Sequence, residues 1–400
     1  MTPTGLSHGG TVPPIRYVGM LRSVASWAKV ARELIIALRN AGVHVCVQER
    51  ADDRFDPDFQ LPVQVAEVLR TSCQVPDAAH VTVTFSEPGD YAQLPMGSAS
   101  IGLLAWEASQ WPDDWLAAAR RHASRIVVPS AFPAQTLVDS GFPRERIGVV
   151  PHGVDQARFS PGDRQPPGSR ELLTLLFVGT PARRKGLDVL VEAIRQAFPG
   201  GGIRLVVKMA PYTDAESRPY LDPLWRNRLA TLEAGGHQVD IIDEVISEQD
   251  MAQLYRAADL LCHPFRGECF PLPFLEAMAC GTPLLCTAWS GPLDLLDAET
   301  ALLVPPAGQV PAAPMLPEPG IVPPTATMAE PDLSAVVRQL RTADDRRDLL
   351  GLLGGRAHRL VLDWTWAAAA EHLVREARIA FAQAGAQGPP AAMDMITPKL

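Results

Sequence analysis

The sequence predicts an α/β protein built from two doubly wound parallel sheets. Short apolar runs alternate with amphipathic stretches from residue 15 to residue 150, and the same alternation resumes at residue 172. Between them lies Ser160–Arg170, which is rich in Pro and Gly and has no apolar period, so it predicts an interdomain linker. Alternating strands and helices favour parallel βαβ units. A length of 400 residues suits two domains.

In the first half, the spacing of apolar residues predicts each element. The stretch Trp27–Ala41 places Val30, Leu34 and Leu38 on one helical face, and Gly42 follows its end. Two more amphipathic stretches predict helices, Val63–Thr71 and Pro112–Ala123. Short apolar runs predict strands at Ile15–Leu21, Val43–Gln48, Val81–Phe85, Ile101–Trp106, Arg125–Val128 and Ile147–Val150.

The second half repeats this pattern. Strands are predicted at Leu172–Val178, Ile203–Met209, Val239–Ile242, Leu260–His263 and Pro283–Thr287. Helices are predicted at Gly186–Phe198, Leu221–Ala234, Glu248–Ala258, Phe274–Cys280, Asp332–Arg341 and Asp344–Val361. The segment Pro305–Pro331 holds nine prolines in 27 residues. Since proline has no N–H group, this segment predicts a surface loop, either a tolerated insertion or a functional one.

These elements predict the domain boundaries. Residues 1–160 form a first domain and residues 161–363 a second one. The Ala-rich helix Trp364–Gln383 is predicted to cross back to the first domain, and residues 384–400 to form a disordered tail.

Composition excludes several classes of protein. With 47% hydrophobic and 20% charged residues, the chain is typical of a globular protein and not of a disordered one. A net charge of −9 argues against a dedicated nucleic-acid binder. The six cysteines form no C-x-x-C pair, which predicts small buried side chains in a reducing compartment. No apolar run is long enough to span a membrane, and the first residues lack signal-peptide order, so a cytoplasmic location is expected.

Motifs for several common sites are absent from the sequence. It contains no G-x-G-x-x-G, no G-x-S-x-G and no H-E-x-x-H, and GTPARRKG at 179–186 does not fit the phosphate-binding P-loop pattern. Neither a metal site nor a serine hydrolase therefore has support.

The first chemically informative segment is GECFPLPFLEAMACGTP, Gly267–Pro283. It follows a predicted strand and begins a helix, with Pro273 expected at the first helical position. The free amides of a helix start bind anions. Glu268 and Glu276, in the loop and the expected first turn, lie on either side of this site, and carboxylates accept hydrogen bonds from vicinal hydroxyls. A ligand with phosphates and sugar hydroxyls fits, although both carboxylates could instead have ordinary structural roles.

The second informative segment is FVGTPARRKGL, Phe177–Leu187. Its cations Arg183, Arg184 and Lys185 precede a predicted helix, where positive charge opposes the helix dipole unless an anion binds there. A diphosphate would supply that anion, whereas the alternative is a solvated basic turn.

Together these segments resemble the retaining glycosyltransferases of family 4, which have the two-domain GT-B fold. Gly267–Leu285 resembles the family's E-x7-E segment, and Leu175–Ala193 resembles its phosphate-binding strand, turn and helix. Val149–Pro161 resembles the interdomain hinge and Ile242–Pro264 the segment beside the nucleobase. The first half matches more loosely, through Ser26–Val45 and Arg125–Phe132.

The resemblance implies a role for each matching residue. Glu268 would hold the donor sugar hydroxyls, Glu276 the ribose diol, and Lys185 with Arg184 or Arg183 the diphosphate. Further donor contacts are implied for the amides near Phe270 and Leu272, for the segment around Val245, and for the loop at Gly19. In related mannosyltransferases a His follows the strand that faces the donor, and Glu107 falls at the matching place here. The implied catalytic residues are therefore Glu268, Glu107 and Lys185.

Three departures from the family pattern concern the phosphate site. Thr180 stands where the family often has Arg, and Pro271 removes a possible amide donor. The family's Gly-Gly loop is reduced to Gly19, with Ser26 as a weak substitute. His152 belongs to the hinge motif and is expected to be structural.

The resemblance implies a GT-B enzyme that moves a hexose from a nucleotide-sugar to an acceptor with retention, without a metal or other cofactor. The acceptor would be a sugar, a lipid or a small molecule, nucleic acid is not expected as a partner, and peripheral membrane contact stays open. Two alternatives remain: a non-catalytic homologue that binds the nucleotide-sugar, and a sugar-nucleotide epimerase on the same fold.

Overall fold

The computed structural model describes residues 12–51, 56–70, 80–94, 99–163, 171–209 and 221–387. Two six-stranded parallel sheets, each with helices, and one small antiparallel hairpin make up these residues. The fold class is therefore the one predicted, α/β with two doubly wound sheets. In the predicted linker, residues 164–170 lie outside the described part of the chain.

The first sheet has the strand order β2-β1-β3-β4-β5-β6. Its strands are β1 Ile15–Gly19, β2 Val45–Glu49, β3 Val81–Phe85, β4 Ala99–Leu103, β5 Arg125–Val128 and β6 Ile147–Val149, with helices α1 Ser26–Asn40, α2 Val63–Arg70, α3 Asp113–His122 and α4 Ala131–Asp139. The order reverses between β1 and β3, so the carboxyl end of β1, at Gly19, lies beside a crevice.

The predicted strand Ile101–Trp106 is wrong at both ends. The observed strand β4 begins at Ala99 and ends at Leu103. After one more ladder bond, from the Leu104 amide to the Val127 carbonyl, the chain leaves the sheet. The apolar residues that follow form a tryptophan cluster instead, because Trp106 stacks on Trp111 with ring centroids 5.6 Å apart. Glu107 thus lies on a loop past the strand end.

The second sheet has the order β12-β11-β10-β7-β8-β9. Its strands are β7 Leu173–Val178, β8 Ile203–Lys208, β9 Gln238–Ile242, β10 Leu260–His263, β11 Leu284–Thr287 and β12 Ala301–Val304, and its helices are α5 Leu187–Ala197, α6 Trp225–Ala234, α7 Glu248–Ala257 and α8 Leu272–Ala279. This is the dinucleotide-binding strand order, with its reversal between β7 and β10. Ligands in such sheets bind at the carboxyl ends of the strands beside that reversal.

The expectation of a loop over Pro305–Pro331 is wrong, because the segment contains a hairpin. Strand β13, Pro306–Pro311, pairs antiparallel with β14, Thr327–Pro331. An isolated two-stranded ribbon tolerates proline wherever an N–H would face away from its partner. The buried side chains of Ala312 and Met328 belong to the same apolar cluster as Trp111 of the first domain. The hairpin therefore reaches from the second domain onto the first.

Three helices complete the chain, α9 Leu333–Asp345, α10 Arg347–Val361 and α11 Trp366–Gln387. Helix α11 packs against α1 and β4 of the first domain. An ion pair fastens it there, since Arg125 Nε donates to Glu376 Oε2 at 2.6 Å. The helix continues to Gln387, four residues into the predicted tail, and the remainder of that tail lies outside the described residues.

The described cysteines lie in the interior of the fold. Cys46, Cys262, Cys269, Cys280 and Cys286 are buried, as predicted, and Cys73 lies outside the described residues. Within the described ranges, no helix combines the length and apolar character needed to cross a membrane.

Candidate functional site

Both sequence segments singled out for chemistry meet at the strand-order reversal of the second sheet. Strand β7 is followed by the turn that carries Arg183–Lys185, and β10 is followed by the loop that carries Glu268. Helix α8 starts at Leu272, so Pro273 is its second residue and not its first, and Glu276 lies just past the first turn. The start moves earlier because the φ angle of proline suits the first turn of a helix.

The three cations occupy a single 3₁₀ turn, Arg183–Lys185, before α5. It ends at Gly186, whose φ of 76° is left-handed and whose absent Cβ would lie 1.9 Å from the Pro264 carbonyl oxygen. Only glycine fits there, because any side chain would be both strained and in collision. The turn is thus pressed against the segment that leads to Glu268.

Arg184 and Lys185 converge on the two carboxylates named as catalytic. Lys185 Nζ donates to Glu268 Oε1. Arg184 spans the gap between the domains, with Nη1 3.2 Å from Glu268 Oε1 and Nη2 3.1 Å from Glu107 Oε1. Glu107, from the first domain, therefore lies across from Glu268 with one guanidinium between them. We call these four residues the charge cluster.

Burial makes the charge cluster electrostatically strong. The Glu268 side chain is only 5% exposed. Burial alone would raise the pKa of Glu268, but the Lys185 and Arg184 cations outweigh it and lower this pKa to about 2. Burial likewise disfavours a charged Arg184, yet Glu107 and Glu268 raise its pKa. Burial lowers the pKa of Lys185, and the nearby Glu268 offsets this effect only in part. The cluster therefore places two basic side chains against two carboxyl groups.

A neutral histidine lies below the cluster. His263, at the end of β10, stacks on Phe177 with ring centroids 4.9 Å apart. Burial, followed by repulsion from Lys185, lowers the pKa of His263 to about 3. Because this imidazole is uncharged, the positive charge of the site comes from Arg184 and Lys185. The role of His263 is packing against Phe177.

Glu276 is held from both domains. The Tyr255 hydroxyl donates to Glu276 Oε2 at 2.7 Å, and Lys29 Nζ lies 2.6 Å from Glu276 Oε1. Lys29 belongs to α1 of the first domain and also pairs with Glu248 at 2.8 Å. The sequence alone did not point to either partner. Lys29 is one of three cations in α1, with Arg32 and Arg39, and no motif distinguishes it.

The other named positions are more dispersed. Arg183 has an exposed side chain outside the charge cluster. Val245 is 59% exposed, on the connection between β9 and α7. Gly19 ends β1, where its carbonyl accepts from the Arg50 amide at 2.9 Å, and Ser26 is exposed at the start of α1.

Phe270 and Leu272 are buried at the start of α8, beside the hinge. Phe270 contacts His152 edge to face at 5.1 Å, and His152 in turn stacks on Trp366. Burial lowers the pKa of His152 to about 3, so its ring is neutral and acts as packing between the hinge and the last helix.

The described residues contain no group of three or more His, Cys, Asp or Glu side chains placed to hold a metal ion. The site's positive charge is supplied by its own arginine and lysine.

Two protein-family models match parts of the chain. Residues 173–313, which carry the charge cluster's Arg184, Lys185 and Glu268, match the family described as Glycosyl transferases group 1. Residues 98–158, which carry Glu107, match Glycosyltransferase Family 4. The chain carries glycosyltransferase domains of group 1 and family 4.

The sequences of curated relatives match this chain over part of their own length. A D-inositol 3-phosphate glycosyltransferase 1 from Catenulispora acidiphila is 35% identical over 178 residues, which is 42% of this chain and 42% of the relative. A D-inositol 3-phosphate glycosyltransferase from Nocardia farcinica is 36% identical over 194 residues, 46% of this chain and 42% of the relative. The matches thus span less than half of each relative.

Solved structures establish the GT-B fold across most of the chain. Sucrose-phosphate synthase from Thermosynechococcus elongatus superposes with a TM-score of 0.66 at 20% identity, covering 92% of this chain and 99% of the other. Anabaena HepE in complex with UDP and glucose gives a TM-score of 0.63 at 14% identity, covering 91% and 98%. The expected fold, two Rossmann-like domains of the GT-B type, is confirmed.

Proposed function

We propose that this protein is a retaining glycosyltransferase that moves a hexose from a nucleotide-sugar donor to an acceptor hydroxyl. The observation that carries the proposal is the charge cluster. It places two partly buried cations and a buried carboxylate at the strand-order reversal of the second sheet, directly facing a carboxylate of the first domain. A departing diphosphate is stabilised by nearby positive charge, and sugar hydroxyls need oxygens that accept their hydrogen bonds.

The donor is proposed to lie along the second domain. Lys185 and Arg184 bind the diphosphate, Glu268 the sugar hydroxyls and Glu276 the ribose diol, while the Asp243–Ile246 segment borders the base. UDP-bound Anabaena HepE shares the fold, which supports a nucleotide ligand. Both cations pair with Glu268 in the structure, and we propose that a bound diphosphate takes over part of this pairing.

The proposed reaction breaks the bond between the anomeric carbon and the diphosphate oxygen and forms one between that carbon and the acceptor oxygen. The acceptor approaches from the first domain, on the same face as the leaving group, and its proton passes to the departing phosphate. Lys185 and Arg184 stabilise the charge that develops on this phosphate. Their positive charge takes the part that a metal ion plays elsewhere, so the proposal invokes no metal.

The acceptor class is proposed as a sugar, lipid or small-molecule hydroxyl, without nucleic acid. The curated relatives are named for an inositol phosphate acceptor, which makes polyols and their phosphates the first acceptors to try. A cytoplasmic site of action and peripheral membrane contact belong to the same proposal.

A direct test uses the purified protein with UDP-, GDP- and ADP-hexoses and a panel of polyol, sugar and lipid acceptors. Transfer, or slow donor hydrolysis, is expected with one base, with the anomeric configuration kept and with no loss in EDTA. Nucleotide binding without turnover on any acceptor would favour the non-catalytic homologue. Conversion of the donor to its epimer without acceptor would favour the epimerase.

Glu276→Ala should weaken binding of the free nucleoside, the nucleoside diphosphate and the nucleotide-sugar by the same amount, about 1–3 kcal/mol. All three ligands share the ribose that Glu276 is proposed to bind. Calorimetry with the three ligands measures this. The matched control is Glu299→Ala, an exposed carboxylate of the same domain that should change none of them. A loss confined to the nucleotide-sugar would contradict the ribose assignment.

A further inference from the structure

Arg266, two residues before Glu268, uses all five N–H groups of its guanidinium. Nε and Nη2 donate to Glu330 at 2.6 and 2.9 Å, and Nη1 and Nη2 donate to Asp188, both at 2.9 Å. The remaining Nη1 hydrogen goes to the Arg183 carbonyl at 2.7 Å. Since the side chain is 9% exposed, this is a buried charge with two counter-charges and no unused donor.

The backbone of Arg266 extends the same junction. Its amide donates to the Arg184 carbonyl at 2.7 Å, and its carbonyl accepts from the Ala329 amide at 3.0 Å. One residue therefore joins the cationic turn Arg183–Lys185, the first turn of α5 at Asp188, and strand β14 of the hairpin.

The hairpin is itself fixed to the first domain next to Glu107. The Ser109 amide donates to the Thr327 carbonyl at 3.0 Å, and the Thr327 amide donates back to Ser109 Oγ at 2.9 Å. The Thr325 hydroxyl donates to the Gln110 side-chain oxygen at 2.6 Å. Contacts thus run without a break from the loop after Glu107, through the hairpin and Arg266, to the turn that carries Arg184 and Lys185.

We propose that Arg266 is a positioning residue that, clamped by Glu330 and Asp188, fixes the Arg183–Lys185 turn so that Arg184 and Lys185 face the donor diphosphate. The two carbonyls that Arg266 holds are those of Arg183 and Arg184, inside the turn itself. A planar fork with bidentate partners fixes orientation, which a flexible lysine cannot do. The inference rests on the proposed function, because it assigns the diphosphate to this turn.

The test compares Arg266→Gln with wild type for binding of UDP, GDP and ADP and of uridine, guanosine and adenosine, by calorimetry. Affinity for the diphosphate that binds should fall about tenfold or more, while affinity for its nucleoside stays within about twofold. Glu330→Gln, on the hairpin, should give the same selective loss at about three- to tenfold. Arg204→Gln is the control, since this arginine pairs with Asp240 on the surface of the same domain.

A double mutant then asks whether Arg266 acts through the turn. In a Lys185→Ala background, Arg266→Gln should cost the diphosphate clearly less than it does in wild type, since the effects of coupled residues are not additive. Equal loss of nucleoside and diphosphate, or an unchanged diphosphate affinity, overturns the positioning role. If Arg266→Gln does not fold, Glu330→Gln decides by the same criteria.

The experiments distinguish a failure of the positioning role of Arg266 from a failure of the diphosphate site itself. A strong effect of Lys185→Ala with none from Arg266→Gln or Glu330→Gln removes the positioning role alone. No effect from Lys185→Ala, or no binding of any diphosphate, contradicts the diphosphate assignment itself and the positioning role with it.

Discussion

Replacing Glu268 by glutamine should lower turnover about 100-fold and leave affinity for the free nucleoside diphosphate unchanged or slightly higher. The variant would lose the proposed charge-assisted hydrogen bonds from the donor sugar hydroxyls to Glu268, worth about 1.5–3 kcal/mol. The diphosphate is spared because Lys185 and Arg184, released from Glu268, remain free to bind it. Steady-state kinetics with calorimetry of the product nucleotide separates the two effects.

Glu299→Gln serves as the control for Glu268→Gln, since Glu299 is a 78% exposed carboxylate of the same domain. Equal losses of turnover and nucleotide affinity in Glu268→Gln would contradict the division of labour between Glu268 and the cations.

The same variant should change how stability depends on pH. The pKa of Glu268 is depressed to about 2 in the folded protein, below the ordinary value of 4.5. Its stabilising contribution is therefore fully present above pH 4.5 and is lost as pH falls toward 2. The melting temperatures of wild type and Glu268→Gln should differ most at neutral pH and converge over that acidic range.

Lys185→Ala should weaken nucleoside diphosphate binding by about 1–3 kcal/mol, the usual cost of a lost hydrogen bond to a charged group. Affinity for the nucleoside alone should not change, because the contacts proposed for the ribose and base come from other residues. Arg184→Ala should follow Lys185→Ala, whereas Arg183→Ala should have a smaller effect, since the Arg183 side chain is exposed outside the charge cluster. Calorimetry on the three variants gives this ranking.

The control for these variants is Arg195→Ala, an exposed arginine of α5 that pairs with Glu192. Unchanged diphosphate affinity in a folded Lys185→Ala protein would show that the assignment is wrong.

Much of the fold was predictable because parallel strands buried on both faces give continuous apolar runs. Three elements were not. Helix α4 has only nine residues and contains Pro133 near its start, so the spacing of its apolar residues does not predict a helix. Strand β12 has only four residues. The hairpin of β13 and β14 is rich in proline, and it forms because its apolar side chains have a partner surface on the first domain.

The charge cluster was predictable where the chemistry is local in the sequence. Glu268, Lys185 and Arg184 lie in two compact segments, and the strand order brings their ends together. Lys29 and the Glu330 partner of Arg266 were not predictable, since each contact joins residues far apart in the chain and depends on how the domains pack. No local pattern marks a lone lysine on a helix or a glutamate among prolines.

The position of α11 has a consequence for the order in which the protein assembles. Leu373, Val374 and Ala377 of this helix belong to the same buried cluster as Ile101 of β4 and Leu34 and Leu38 of α1. Helix α11 follows every strand of both sheets in the chain, so a ribosome makes it after both. Until then, one face of the nascent sheet stays open to water and to other chains. We therefore expect the first domain to complete its core only after α11 has been made, although its strands are synthesised before those of the second domain.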